Sequence, residues 1–160
     1  MARAVAAAGH EIGNHGYAHQ RLWLRSPRFI YEDLARAQAV IAETTGVNPT
    51  LVRAPYGVRW FGLRAAQRQL NMLGVMWTTL ARNWKLPATG IAARLLRAAA
   101  NGAIFCLHDG RLVESNPDVS PMLEAVERLL PALRERRFRL ETVSGLLGLS
   151  SRAAGQSGSK

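Results

Sequence analysis

A chain of 160 residues, 48% of them hydrophobic, carries enough apolar surface for one globular domain and has no need of a second. Its formal charge of +10 comes from 21 basic residues, all arginine except Lys85 and Lys160, and such a balance favours polyanionic partners. The arginines are scattered along the sequence without a basic run interleaved with aromatics, which argues against a specific nucleic-acid reader, and the lone Cys106 excludes an internal disulfide.

In chain order, residues 2–8 (ARAVAAA) predict the end of a helix stopped by Gly9, and HEIGN predicts a short extended segment. Ser26 as a cap, Pro27 at the first helical position and apolar Ile30, Leu34, Ala37 and Ile41 predict a helix with one buried face, ended by Gly46. A strand (TLVRAP), a helix over 61–73 stopped by Gly74, a strand (VMWTT), a helix over 90–101 stopped by Gly102 and a buried strand (AIFCLHD) follow. After the loop at 110–119, Ser120 and Pro121 open another helix with a kink expected at Pro131. FRLETV then predicts a last strand, and SGLLGL a short turn of helix. Residues 150–160 are small and polar, and are expected to be a disordered tail. No apolar run approaches the ~20 residues that cross a bilayer, and the start is too short for a secretory signal, so the chain reads as soluble and without an address.

Strands alternating with helices across short loops predict a mainly parallel α/β sheet, open or closed into a barrel. In such folds the ligand site lies beyond the carboxyl ends of the strands. The polar motifs follow strands accordingly: His15 and His19 after HEIGN, Arg53 to Gly57 (RAPYG) after the second strand, Asn83 and Trp84 after VMWTT, and His108 with Asp109 at the end of AIFCL. Four separate segments thus bring His, Arg, Tyr, Trp and Asp toward one face. Each motif alone has a plainer reading. The HxxxH pair suits a divalent metal if a tight loop joins the imidazoles, but one histidine could instead cap a helix while the other is satisfied inside. RAPYG is also an ordinary turn, Trp84 also a lid on the core, and His108 either a general acid or a buried, satisfied histidine.

Taken in order, HEIGNHGYAH, RAPYG, NW and CLHDG resemble a polysaccharide deacetylase of the NodB-homology type, family 4 of the carbohydrate esterases, over roughly residues 5–148. The resemblance implies an α/β fold, a distorted (β/α) barrel of the NodB-homology type incomplete at the N-terminus, with the partial domain at 1–149. It also implies a metal-dependent hydrolase that removes N-acetyl groups from chitin- or peptidoglycan-like polymers. By motif, His15 and His19 would be ligands of a divalent metal, zinc first and cobalt or manganese as alternatives. Arg53 would orient the catalytic base, the Tyr56 N–H would help hold the oxyanion, and His108, supported by Asn83, would protonate the leaving amine. Trp84 and Leu107 would line the pocket for the acetyl methyl group. For a full-length relative the cell envelope is the implied setting.

Two departures from the family pattern bear on activity. The Asp-Asp pair of the family's TFDDG motif, which supplies base and carboxylate ligand, is absent: the only aspartates are Asp33, Asp109 and Asp118. Asn83 stands where relatives usually carry an aspartate, so it keeps a hydrogen bond but loses the charge that favours imidazolium. The chain is therefore expected to be the carboxyl-terminal part of a deacetylase lacking about two opening βα units. Exposed sheet edges would then lead to self-association or a partly unstable product. Loss of acid–base assistance costs about 10²–10⁴ in rate, so little turnover is expected. The competing reading is a noncatalytic sugar- or metal-binding remnant that keeps His15, His19 and Trp84; nucleic acid is expected to be retained only weakly and without specificity.

Overall fold

The computed structural model describes residues 1–82, 85–110 and 116–149. Asn83, Trp84 and the expected tail at 150–160 lie outside the described residues. The chain divides into two compact units, Met1–Met76 and Trp77–Lys160.

In the first unit, helix α1 (Ala2–Ala7) buries none of its residues, and Gly9 turns the chain away with φ 80. Helix α2 (Pro27–Thr45) starts and stops where its capping residues dictate. The Ser26 hydroxyl accepts the Phe29 N–H at 3.1 Å, and Gly46 closes the helix in the left-handed region. Ile30 and Leu34 are fully buried, which contributes about 1.5–3 kcal/mol each. Ala37 is buried beside them, Ile41 is only partly covered, and the same face also buries Asp33. Ile30 and Leu34 pack with Leu22, Val52, Leu63 and Met72. Strand β1 (Leu51–Val52) is shorter than TLVRAP suggested, because Pro55 cannot donate to a ladder and opens a 3₁₀ turn, Pro55–Gly57.

Helix α3 (Leu63–Gln69) begins at Gly62 and ends short of the expected 73, since Asn71 takes φ 52 and the Met72 N–H returns to the Gln67 carbonyl. Gly74, expected as the helix stop, instead belongs to strand β2 (Leu73–Gly74), which pairs in parallel with β1. Asn14 bridges Val52 in parallel, so HEIGN contributes one paired residue rather than a strand. Gly62 is required by position. Its φ is 90, and a Cβ there would meet the Cα of Pro27 at 2.7 Å, a backbone atom that cannot yield. Gly62→Ala is expected to destabilise the chain by about 1–3 kcal/mol, read as an earlier midpoint in urea unfolding.

The second unit repeats the parallel plan. Strand β3 (Thr79–Leu80) pairs with strand β4 (Phe105–Cys106) in the register Thr79↔Phe105 and Leu80↔Cys106. The paired residues thus lie at the end of VMWTT and beyond it, where Thr78 and Ala81 donate to the carbonyls of Ile104 and Cys106. Helix α4 (Ala88–Arg97) starts two residues earlier than expected and buries Ile91, Ala92 and Leu95 against Ala125, Leu129 and Leu133 of helix α5 (Ser120–Glu135). Helix α5 continues through Pro131 to Glu135. At its start, Asp118 accepts the Ser120 N–H, which holds this exposed carboxyl below its ordinary range.

FRLETV (138–143) makes no strand. Arg137 turns with φ 62, the Phe138 N–H is taken by the Leu133 carbonyl, and the Thr142 side chain caps helix α6 (Val143–Leu146) by accepting from Gly145. Local partners for these backbone groups outcompete a strand that has no neighbour to pair with.

Candidate metal and catalytic site

The first unit organises its polar motifs around Asn14, which is only 1% exposed. Its backbone N–H donates to Leu51 and its carbonyl accepts from Arg53, so it is tied to β1 on both sides. Its side-chain amide donates to the Leu34 carbonyl of α2 at 2.9 Å and accepts the Gly16 N–H at 2.9 Å. Every polar group that burial would penalise is thereby satisfied, and the loop that follows leaves the strand in one direction.

Asp33 holds the next part of that loop. Its two carboxylate oxygens accept the N–H groups of Tyr17 at 3.1 Å and Ala18 at 2.8 Å, and Gly16 approaches so closely that a Cβ there would sit 2.6 Å from Asp33 Oδ2. The carboxylate is committed to the loop carrying the histidines. Asp33 was not among the site residues expected from the sequence. The detectable signal was an aspartate on the apolar face of an amphipathic helix, one residue before Leu34.

The result is a close set of rings. His15 and His19 have centroids 4.9 Å apart at 67°, and Tyr56 stands 5.0 Å from His19. The Nδ1 of His15 lies 2.6 Å from the Arg53 carbonyl oxygen. A carbonyl can only accept, so Nδ1 carries the proton and a neutral His15 keeps its lone pair on Nε2. His19 and Tyr56 both adopt positive φ, 47 and 58. Such conformations cost about 1–3 kcal/mol each in a non-glycine residue and gather at functional sites. Arg53 is fastened as well, its Nη2 donating to the Met76 carbonyl at 3.2 Å. The structure thus brings together His15, His19, Arg53 and Tyr56.

In the second unit, Leu107 and His108 follow β4 directly and are half-buried, Leu107 packing on the α4–α5 core and Asp109 lying exposed. Asn83 and Trp84 lie outside the described residues. As metal donors, the two imidazoles fit a borderline-soft divalent ion, but among the described residues no group of three or more His, Cys, Asp or Glu side chains could hold one. The donor set is one short of the three protein ligands usual for catalytic zinc. No helix among the described residues is long and apolar enough to cross a membrane.

Comparison with known proteins sets this geometry in context. A family model described as polysaccharide deacetylase matches residues 1–75. The chain is 29% identical over 148 residues to the protein YlxY of Bacillus subtilis (strain 168), described as uncharacterized, covering 92% of this chain and 44% of that one. It is 28% identical over 154 residues to a chitooligosaccharide deacetylase of Bradyrhizobium sp. (strain ANU 289), covering 91% of this chain and 70% of the relative. A family 4 acetyl xylan esterase from Clostridium thermocellum, solved in complex with a cobalt ion, superposes with a TM-score of 0.79 at 28% identity, over 94% of this chain and 70% of the other. The α/β fold expected from the sequence is the fold of that neighbour.

Proposed function

We propose that the chain is a member of the polysaccharide deacetylase family, whose model matches residues 1–75, and that it descends from, and retains part of, a metal-dependent hydrolase that removes N-acetyl groups from chitin- or peptidoglycan-like polymers. The carrying observation is the imidazole pair, two rings 4.9 Å apart with His15 oriented by the Arg53 carbonyl. In this reading His15 and His19 hold a divalent ion, zinc by preference and cobalt or manganese in its place. When bound, such an ion polarises an amide carbonyl and lowers the pKa of a water molecule.

This chain's own residues would supply part of the rest, the base belonging to the Asp-Asp pair that this sequence lacks. Arg53 would orient that base. The Tyr56 N–H, carried by a backbone at φ 58, donates to the oxygen on which charge develops. By the resemblance, His108 supported by Asn83 would protonate the departing amine, and Trp84 and Leu107 would line the pocket for the acetyl methyl group. An amino-sugar polymer of this kind assigns the work to the cell envelope.

A second reading, a noncatalytic sugar- or metal-binding domain, is favoured by the missing third donor among the described residues and by the absence of an Asp-Asp pair from the sequence. Acetate release from N-acetylglucosamine oligomers with added zinc or cobalt separates the two. The catalytic reading expects slow, metal-dependent release that falls by about 10²-fold in His108→Ala. Release that ignores both the metal and that substitution refutes the assignment, and no release under any condition leaves the noncatalytic reading.

A further inference from the structure

Resting on the deacetylase reading, we propose that the Met1–Met76 unit holds a second glycan-binding surface, formed by Trp23 and Trp60 with Arg25 and Arg59, which grips a carboxylate-bearing polysaccharide in preference to a neutral one. The surface is built at some cost. Leu22 is anchored in the core, the Arg25 N–H closes a turn onto the Leu22 carbonyl, and between them Leu24 takes φ 59, a conformation that disfavours a branched apolar side chain. The turn leaves Trp23 62% and Leu24 78% exposed.

A second loop comes alongside because Gly62 permits it. Its approach to Pro27, two residues after Arg25, carries Trp60 to Trp23 with ring centroids 6.3 Å apart at 62°. Phe61 next to it is 78% exposed. Two segments distant in sequence, RLWLR and RWF, thus make the interleaving of aromatics and arginines that neither makes alone. Exposed indole faces suit the apolar C–H faces of pyranose rings, and tryptophan and arginine are the side chains that most often dominate binding surfaces.

Charge selects the occupant. No Asp or Glu occurs between Glu43 and Asp109, and residues 1–76 carry nine arginines against four carboxylates. Of these four, Asp33 is held by the Tyr17 and Ala18 N–H groups and Glu32 pairs with Arg28 at 2.7 Å. Arg21 lies over the Tyr56 ring at 5.0 Å, and Tyr56 touches His19, so the cationic surface continues to the imidazole pair. A polymer bearing regular carboxylates matches this field, and a neutral one forgoes it.

The test is calorimetric titration of the whole chain, without added metal, with a hyaluronan hexasaccharide and with N-acetylchitohexaose, which share N-acetylglucosamine and length but differ in charge. At low salt the charged sugar is expected to bind at least about tenfold more tightly, with Trp23→Ala/Trp60→Ala and Arg25→Glu/Arg59→Glu each losing about tenfold while circular dichroism is unchanged. Raising salt should erase the preference. Equal affinity for the neutral sugar, full affinity in the tryptophan variant, or single-stranded DNA of matched charge binding as well as hyaluronan overturns the proposal. Loss of hyaluronan binding in His15→Ala/His19→Ala also overturns it, because the surface would then be the imidazole site itself. Intact binding without acetate release would sink only the catalytic reading.

Discussion

Replacing both His15 and His19 with alanine is expected to remove the calorimetric heat of zinc or cobalt binding, whereas His10→Ala should leave it unchanged. The two rings meet edge to face with centroids 4.9 Å apart, and the Arg53 carbonyl, by accepting from Nδ1 of His15, leaves the Nε2 lone pair for a metal. Each single substitution leaves one imidazole, and affinity then falls by at least about tenfold, or 1.4 kcal/mol. His10 is exposed and lies outside this ring set, so it serves as the control for adventitious binding. Heat that persists in the double variant would mean that the ligands have been misassigned, and the proposed chemistry would lose its metal.

The second large effect is expected at Asp33. Asp33→Ala leaves the Tyr17 and Ala18 N–H groups without their acceptors and opens a gap under Gly16, for a loss of about 2–4 kcal/mol in urea unfolding. Because those amides fix the loop between the two histidines, metal heat should fall in the same variant even where the chain is still folded. Asp33→Asn keeps one acceptor oxygen and should recover about half of the lost stability. A variant as stable as the parent, with unchanged metal heat, would show that the loop is held by something other than this carboxylate.

Local signals carried much of the description. Ser26, Pro27 and Gly46 each act on their own backbone, so the bounds of α2 followed from residue types alone. The spacing of His15 and His19 and the RAPYG turn were legible for the same reason, as was the resemblance to deacetylases. Lost from view were features that depend on partners distant in the chain. Gly74 looked like a helix stop because nothing nearby revealed that Leu51–Val52 would recruit it into a strand. FRLETV alternates like a strand, yet its Phe138 N–H goes to the Leu133 carbonyl and its Thr142 hydroxyl accepts the Gly145 N–H.

By itself, then, the sequence determined the α/β class, the helix caps, the excess of arginine and the chemical types available for a site, since these depend on composition and on contacts within a few residues. Tertiary structure alone decided that Asn14 and Asp33 are the supports of the histidine loop, that His19 and Tyr56 are held in left-handed conformations side by side, and that Trp23 meets Trp60. Those outcomes require Asn14 to reach Leu34, Asp33 to reach Tyr17, and Gly62 to press on Pro27. Hydrogen bonds and close contacts between segments far apart in the chain arise only once the core has closed, and no pattern of neighbouring letters encodes them.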